Sequence, residues 1–153
     1  MKNNSYTIAV LGAGNIGASV IDRLLDIDED LIDIEVKKVL VADMSKERSF
    51  DSSLLTDSFV DIVQDESIQL VIEVLGGLEP GKEYIKQLLE SGKSVITANK
   101  DIIADCGKEL IEIAQKNNTC LYFEAAVAAG IPVLKPLIES LRGEAVTRVA
   151  GII

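Results

Sequence analysis

The 153-residue sequence contains no histidine and no tryptophan, and only two of its residues are cysteines. Without an imidazole, acid–base chemistry within this sequence falls to lysine, carboxylate, tyrosine or water. Cys106 and Cys120 have no paired spacing, so we predict neither a disulfide nor a zinc site. Both are interpreted as small buried hydrophobic residues.

Positive charge is also scarce, because 15 Lys and Arg stand against 25 Asp and Glu and give a net charge of −10. No basic stripe stands out, which argues against nucleic acid or an anionic membrane as a partner. No apolar run approaches the ~18 residues of a membrane span, and no signal-peptide pattern is present. We therefore expect a cytoplasmic protein, with 48% hydrophobic residues available for the core of one globular domain.

The most informative segment is residues 6–17, YTIAVLGAGNIG, in which an apolar run enters a glycine turn and an amphipathic segment follows. Gly12 suits a tight turn, Gly14 lets backbone approach a pyrophosphate, and Gly17 lets a helix pack closely on the strand. The N–H groups at the helix start would then face the anion. An ordinary tight turn is the alternative, but the flanking strand and helix patterns favour nucleotide binding.

Residues 34–42, IEVKKVLVA, predict the second strand, and Asp43 closes it. In dinucleotide-binding folds an acidic residue at this point hydrogen-bonds the ribose hydroxyls, usually about 20 residues beyond the glycines. Asp43 lies somewhat farther along because the acidic connector at residues 26–33 lengthens the link. A surface aspartate in a turn is the alternative interpretation.

Predicted strands and helices alternate through the rest of the chain. The strands cover residues 69–75, 94–98 and 120–124, and the helices cover residues 59–63, 108–116 and 134–141, with another between Pro80 and Gly92. This alternation predicts an α/β fold, a doubly wound, mainly parallel Rossmann-type sheet with helices on both faces. Gly76 and Lys100 each follow a predicted strand, at the sheet edge where such folds bind ligands. For Gly76 a plain turn explains the residue nearly as well.

Residues 146–153, VTRVAGII, predict a strand that stops in mid-pattern. A natural terminus usually lies at a finished surface element. We therefore expect residues 1–145 to form the dinucleotide-binding domain and residues 146–153 to begin a substrate-binding domain.

Four motifs together resemble the N-terminal NAD(P)-binding domain of homoserine dehydrogenase. They are GAGNIG at 12–17, VIEVLGG at 71–77, TANK at 97–100 and FEAAVAAGIP at 123–132. The resemblance spans essentially the whole chain, and the last two motifs at this spacing are its most specific part. That family interconverts L-homoserine and L-aspartate 4-semialdehyde on the route to threonine, methionine and isoleucine.

The resemblance implies roles for individual residues. Asn15 and Ile16 would join the three glycines on the cofactor phosphates, and Gly76 would lie near the nicotinamide. Lys100 would reach both cofactor and substrate and take part in proton transfer. An ammonium group suits that role, because hydride attack on an aldehyde builds negative charge on oxygen. A solvated lysine in a loop is the alternative for Lys100.

The resemblance also implies a sodium ion, held mainly by backbone carbonyls, and a homodimer in the full-length enzyme. The residues that match the sodium site are Glu124, Val127, Ala129 and Ile131. Many family members carry arginine at the position of Ala42, where it can pair with the 2′-phosphate of NADP. The absence of this arginine beside Asp43 favours NAD as the cofactor. NADP is the alternative, with Lys46 or Arg48 in place of the arginine.

The chain departs from the family pattern because the segments that bind substrate in the family do not occur in these 153 residues. The missing parts include the asparagine-glycine-threonine segment and a second catalytic lysine with its aspartate. We therefore expect a cofactor domain that is not catalytically competent alone. Two alternatives stay open, a domain of an L-aspartate dehydrogenase-like oxidoreductase and a non-catalytic nucleotide-binding module.

Overall fold

The structure is a computed structural model that describes residues 5–27, 33–128, 130–145, 147, 148 and 150. Its strands are β1 (Tyr6–Leu11), β2 (Ile34–Leu40), β3 (Leu55–Thr56), β4 (Leu70–Glu73), β5 (Ser94–Thr97) and β6 (Leu121–Tyr122). Its α-helices are α1 (Asn15–Leu25), α2 (Val60–Val63), α3 (Gly81–Glu90), α4 (Lys100–Lys116) and α5 (Leu134–Ser140). Short 3₁₀ helices cover Ser52–Leu54 and Glu124–Ala126.

The six strands form one sheet in the order β3-β2-β1-β4-β5-β6, and every neighbouring pair is parallel. The chain builds outward from β1 to β3, then crosses back to β4 and builds outward again to β6. This order confirms the predicted doubly wound sheet. The direction in which successive strands are added to the sheet reverses between β1 and β4. In sheets of this kind, ligands bind in the crevice at the carboxyl ends of those two strands.

Apolar side chains of β1 alternate between the two faces of the sheet. Ile8 and Val10 pack in a cluster with Ile21 of α1, whereas Ala9 and Leu11 pack in a second cluster with residues of α3 and α4. Both faces of the sheet are therefore covered, as the predicted doubly wound fold requires.

Helix α4 begins at Lys100 rather than at residue 108, so the predicted helix is only its second half. The Asn99 side chain caps this earlier start by accepting hydrogen bonds from the N–H groups of Asp101 and Ile102. The backbone leaves helical geometry at Cys106, where φ is −139° and ψ is 16°. This kink separates the part of the helix that the sequence pattern revealed from the part that it did not.

Two further expectations differ from the structure. Strand β3, which pairs only at Val39–Leu55 and Leu40–Thr56, lies in a polar stretch for which we predicted no strand. Cys106 is buried as expected, but the prediction for Cys120 is wrong because this cysteine is exposed. It directly precedes β6, which among the described strands pairs only with β5 and so forms an edge of the sheet.

The predicted strand at residues 146–153 lies mostly outside the described residues. Residues 147, 148 and 150 have no regular secondary structure. The division into two domains therefore stays a prediction. In the part of the chain that the structure describes, no helix has the length and apolar character needed to cross a membrane.

Candidate dinucleotide-binding site

The turn that follows β1 is held against the end of β4. Gly12 has a φ of +102°, a left-handed conformation that favours glycine, and its N–H donates to the Leu40 carbonyl at 3.0 Å. A Cβ on Gly12 would lie 3.0 Å from the Val74 carbonyl oxygen. The turn therefore requires glycine here for its backbone conformation and leaves little room for a side chain.

Gly17 allows helix α1 to pack directly on this turn. A Cβ on Gly17 would lie 2.1 Å from the carbonyl oxygen of Gly12 and 2.8 Å from its carbonyl carbon. Both are backbone atoms, so they cannot move aside as the end of a flexible side chain could. The predicted close packing of helix on strand is present in the structure.

Gly14 differs from the other two glycines because it is exposed, and a Cβ there would have no heavy atom within 4 Å. Its φ of −74° is accessible to any residue. Packing within the protein therefore gives no reason for glycine at this position. Close approach of a ligand to the backbone would give one, which is the role predicted for Gly14.

The start of helix α1 has the features of an anion site. Gly14 is the N-cap, its carbonyl accepts from Ala18 N–H at 2.8 Å, and no described side chain caps the helix. Asn15 and Ile16 are exposed, with Ile16 61% accessible, and the first turn contains no acidic residue. The positive end of the helix dipole is thus open to solvent beside Gly14, as it is at the phosphate-binding helix starts of dinucleotide-binding folds.

Asp43 lies just beyond β2, on the other side of β1 from β4. Its Oδ1 accepts hydrogen bonds from the Ser45 hydroxyl at 2.6 Å and the Ser45 N–H at 2.9 Å. These bonds, together with the positive charges of Arg48 and Lys46, lower the pKa of Asp43. Both bonds use Oδ1, so Oδ2 of the ionised group can accept a ribose hydroxyl.

The Arg48 guanidinium is bound to the backbone of the same loop. Its Nη1 donates to the Lys46 carbonyl at 2.7 Å, and its Nη2 donates to the Asp43 carbonyl at 2.8 Å. In this arrangement Arg48 closes the loop around Asp43. To pair with a 2′-phosphate, Arg48 would have to break these hydrogen bonds to the Lys46 and Asp43 carbonyls.

Gly76 and Lys100 follow β4 and β5, two neighbouring strands of the sheet. Gly76 is exposed with open space at its Cβ position, and Gly77 beside it has a φ of +77°. Lys100 is exposed and is the first residue of α4, so it belongs to a helix start rather than to a loop. The glycine turn, Asp43, Gly76 and Lys100 all lie at the carboxyl edge of the sheet.

Sequence reasoning missed a group of polar side chains beneath this edge. Glu73, Thr97 and Asn99 are all buried, and Glu73 is fully inaccessible. Their hydrogen bonds join the loop after β4 to the start of α4. The signal was present in the sequence, because Glu73 is a charged residue inside a strand expected to be covered on both faces.

The residues predicted to bind sodium lie beyond β6, at the far end of the sheet from β2. Burial acts to raise the pKa of Glu124, but hydrogen bonds from the Lys135, Val133 and Leu134 N–H groups hold it lower overall. Its carboxylate therefore caps α5, at distances of 2.6–2.9 Å. Val127 and the 67% exposed Ile131 follow in the same loop, and Ala129 lies outside the described residues.

No cluster of three or more His, Cys, Asp or Glu side chains suited to a metal occurs among the described residues. A sodium site there would therefore depend on backbone carbonyls, as the resemblance implies. Oxygen donors of this kind suit a hard cation. The Glu124 carbonyl already accepts from the Val127 N–H at 3.2 Å, which leaves it one lone pair for an ion. The sodium site stays a prediction.

Comparison with known proteins agrees with this geometry. Residues 12–124 match the family model described as "Homoserine dehydrogenase, NAD binding domain". Homoserine dehydrogenase of Bacillus subtilis is 39% identical over 95% of this chain and 35% of its own length, and that of Mycobacterium tuberculosis H37Rv is 41% identical over 95% and 34%.

Solved structures of homoserine dehydrogenases are also similar to this chain. The homoserine dehydrogenase from Thiobacillus denitrificans is 35% identical with a TM-score of 0.83, over 92% of this chain and 34% of that one. The Staphylococcus aureus enzyme at pH 7.5 is 36% identical with a TM-score of 0.76, over 82% and 34%. The chain thus spans about a third of the length of these relatives.

The sheet order, the close-packed glycine turn and the open start of α1 define a dinucleotide-binding domain of the Rossmann class. The family match extends over most of the chain, from the glycine turn to Glu124. The chain belongs to the NAD-binding domain family of homoserine dehydrogenase.

Proposed function

We propose that this chain supplies the cofactor site of an enzyme that interconverts L-homoserine and L-aspartate 4-semialdehyde with NAD(P). The observation that carries the proposal is the arrangement of the carboxyl edge, where an ionised aspartate, an open helix start, Gly76 and a lysine follow the four adjacent strands β2, β1, β4 and β5. The identity to homoserine dehydrogenases along nearly the whole chain supports this choice of substrates.

Each part of the edge has a distinct task in this proposal. The first turn of α1 binds the pyrophosphate through backbone N–H groups, and Asp43 accepts the adenosine ribose hydroxyls. The cofactor, when bound, supplies the donor or acceptor of the hydride. Lys100 acts on the substrate oxygen, because an ammonium group stabilises the alkoxide that forms on hydride attack and can return a proton to it.

We extend the proposal to five finer properties. NAD is preferred over NADP, because the Asp43 carboxylate repels a 2′-phosphate and Arg48 is bound to its own loop. A sodium ion binds near Glu124 through carbonyl oxygens. The full-length enzyme is a homodimer that binds no nucleic acid. Its substrates and cofactor are small soluble metabolites, which suits a cytoplasmic enzyme.

The decisive experiment replaces the matching third of the Bacillus subtilis enzyme with this chain. The chimera should reduce NAD when homoserine is added, whereas the 153-residue chain should bind NADH without oxidising homoserine. Holding the substrate carbon against the nicotinamide is worth on the order of 7–11 kcal/mol, and the described residues supply one side of that cleft.

The chimera carrying Lys100→Ala serves as the matched control, since it removes the proposed proton-transfer group and keeps the glycine turn. A folded chimera that binds NADH yet leaves homoserine unoxidised would contradict the proposed substrates. Comparable turnover by the 153-residue chain alone would show that the remaining two thirds of the relatives are not needed.

A further inference from the structure

We propose that Glu73 is a positioning residue that fixes Gly76 and Lys100 relative to each other. The proposal rests on the proposed function for the role of Lys100 in hydride transfer. It concerns a buried carboxyl group at the carboxyl end of β4, in the middle of the sheet between β1 and β5.

Glu73 is fully buried, and a buried carboxyl group is costly unless hydrogen bonds compensate it. Each oxygen of Glu73 accepts one such bond. Oε1 accepts from the Leu75 N–H at 2.8 Å, and Oε2 accepts from the Thr97 hydroxyl. The carboxyl group thus joins the loop that leaves β4 to the last residue of β5.

The connection continues through Asn99 and closes into a ring. The Thr97 hydroxyl oxygen accepts from the Asn99 N–H at 3.0 Å, and the Asn99 Nδ2 donates to the carbonyls of Gly77 at 2.6 Å and Leu75 at 3.3 Å. The bonds therefore hold the loop on both sides of Gly76. They also hold Asn99, the residue that caps α4 and directly precedes Lys100.

Helix α3 seals the carboxyl group away from solvent. A Cβ on Gly81, the first residue of α3, would lie 3.2 Å from Glu73 Oε1 and 2.9 Å from the Cδ1 of Ile102. The Glu73 side chain is therefore confined beneath the sheet edge and does not open toward a substrate. This geometry gives Glu73 a positioning role and excludes direct contact with the reacting atoms in this conformation.

The test uses the chimera described above, with Glu73→Gln and Thr97→Val as the disrupting variants. Glutamine keeps the shape of Glu73 but has a single acceptor oxygen, so it cannot accept from both the Leu75 N–H and the Thr97 hydroxyl, and valine removes that hydroxyl. Each variant should lower kcat by about 10–100-fold, the range expected when catalytic groups are displaced by up to about 1 Å. The KM for NAD should change little, because the glycine turn and Asp43 are untouched.

Two controls separate positioning from general stability. Thr97→Ser keeps the hydroxyl and should restore most of kcat. Ile85→Val lowers the stability of the core in α3 without touching the ring, so it should lower the melting temperature and leave kcat per folded enzyme unchanged. If Glu73→Gln lowers only the melting temperature, as Ile85→Val should, the positioning role is wrong.

A double-variant comparison distinguishes this proposal from the proposed function. If Glu73 acts through Lys100, Glu73→Gln should lower kcat in the native chimera but should lower it no further when Lys100→Ala is already present. If the two substitutions instead lower kcat by factors that multiply in the double variant, the positioning role is wrong. A Lys100→Ala chimera with full turnover would instead overturn the role of Lys100 in the proposed function.

Discussion

Gly17→Ala and Gly14→Ala add the same methyl group at two positions of one turn, and the structure predicts different consequences. At Gly17 the new Cβ would lie 2.1 Å from the Gly12 carbonyl oxygen, so backbone must move. At Gly14 the new Cβ would have no heavy atom within 4 Å. Gly17→Ala should therefore affect folding, and Gly14→Ala should affect ligand binding.

The magnitude follows from opposing terms at Gly17. Overpacking costs about 1–3 kcal/mol, and contact with fixed backbone places this site at the upper end. Alanine is a better helix former than glycine by about 1 kcal/mol, which offsets part of the cost in α1. The net loss is about 2 kcal/mol, or a fall of about 4–8 °C in melting temperature for a chain of this size.

For Gly14→Ala, the N-cap preference for glycine over alanine is worth less than about 1 kcal/mol, so the melting temperature should fall by no more than about 2–4 °C. Its NADH affinity should drop, because the methyl group stands where the pyrophosphate would approach. Thermal unfolding without cofactor and calorimetric titration with NADH measure the two effects. A Gly17→Ala chain as stable as the native one would refute the packing argument. A Gly14→Ala chain with unchanged NADH affinity would show that the pyrophosphate does not bind beside Gly14.

Three further predictions concern charged residues. The native chain should bind NADH more tightly than NADPH, and Asp43→Asn should narrow that ratio in calorimetric titrations; tighter NADPH binding by the native chain would contradict the role of Asp43. In the chimera, Lys100→Ala should lower kcat far more than it raises the KM for NAD, and steady-state kinetics with the reverse pattern would reduce Lys100 to a binding residue. The Lys37 ammonium, aided by Ser67, lowers the pKa of Asp65 from 3.8 to about 2, so its stabilising contribution is fully present above pH 3.8 and is lost as the pH falls through about 2. Asp65→Asn should therefore make the decline in the urea midpoint between pH 4 and pH 2 shallower, and an equally steep decline would contradict this assignment.

The sequence predicted the elements whose pattern is local. The apolar strands β1, β2, β4 and β5 and the amphipathic α3 and α5 appear within a few residues of their expected bounds. The parallel order followed from their alternation, and the glycine spacing identified the turn whose packing the structure shows. These features depend on contacts between near neighbours and on a repeating pattern, which a sequence displays directly.

Two of the three features that escaped prediction depend on partners distant in the chain. Strand β3 exists because two residues pair with Val39 and Leu40 of β2, a contact that its own polar surroundings do not suggest. The proposed role of Glu73 depends on Thr97, the last residue of the neighbouring strand β5, and on Asn99, which follows that strand. The first half of α4 depends on the Asn99 cap and a kink at Cys106, which breaks the helical period that would have revealed it.

The parallel order has a consequence for how this domain can change over time. Every described strand contributes its carboxyl end to one edge of the sheet, and the described turns that lead from helices into strands lie at the opposite edge. The turn at Asn117 and Asn118, between α4 and β6, is one of these. Insertions or deletions there leave the spacing of the glycine turn, Asp43 and Lys100 intact. Descendants of this chain can therefore gain or lose surface on one side of the sheet while the ligand-facing side keeps its geometry.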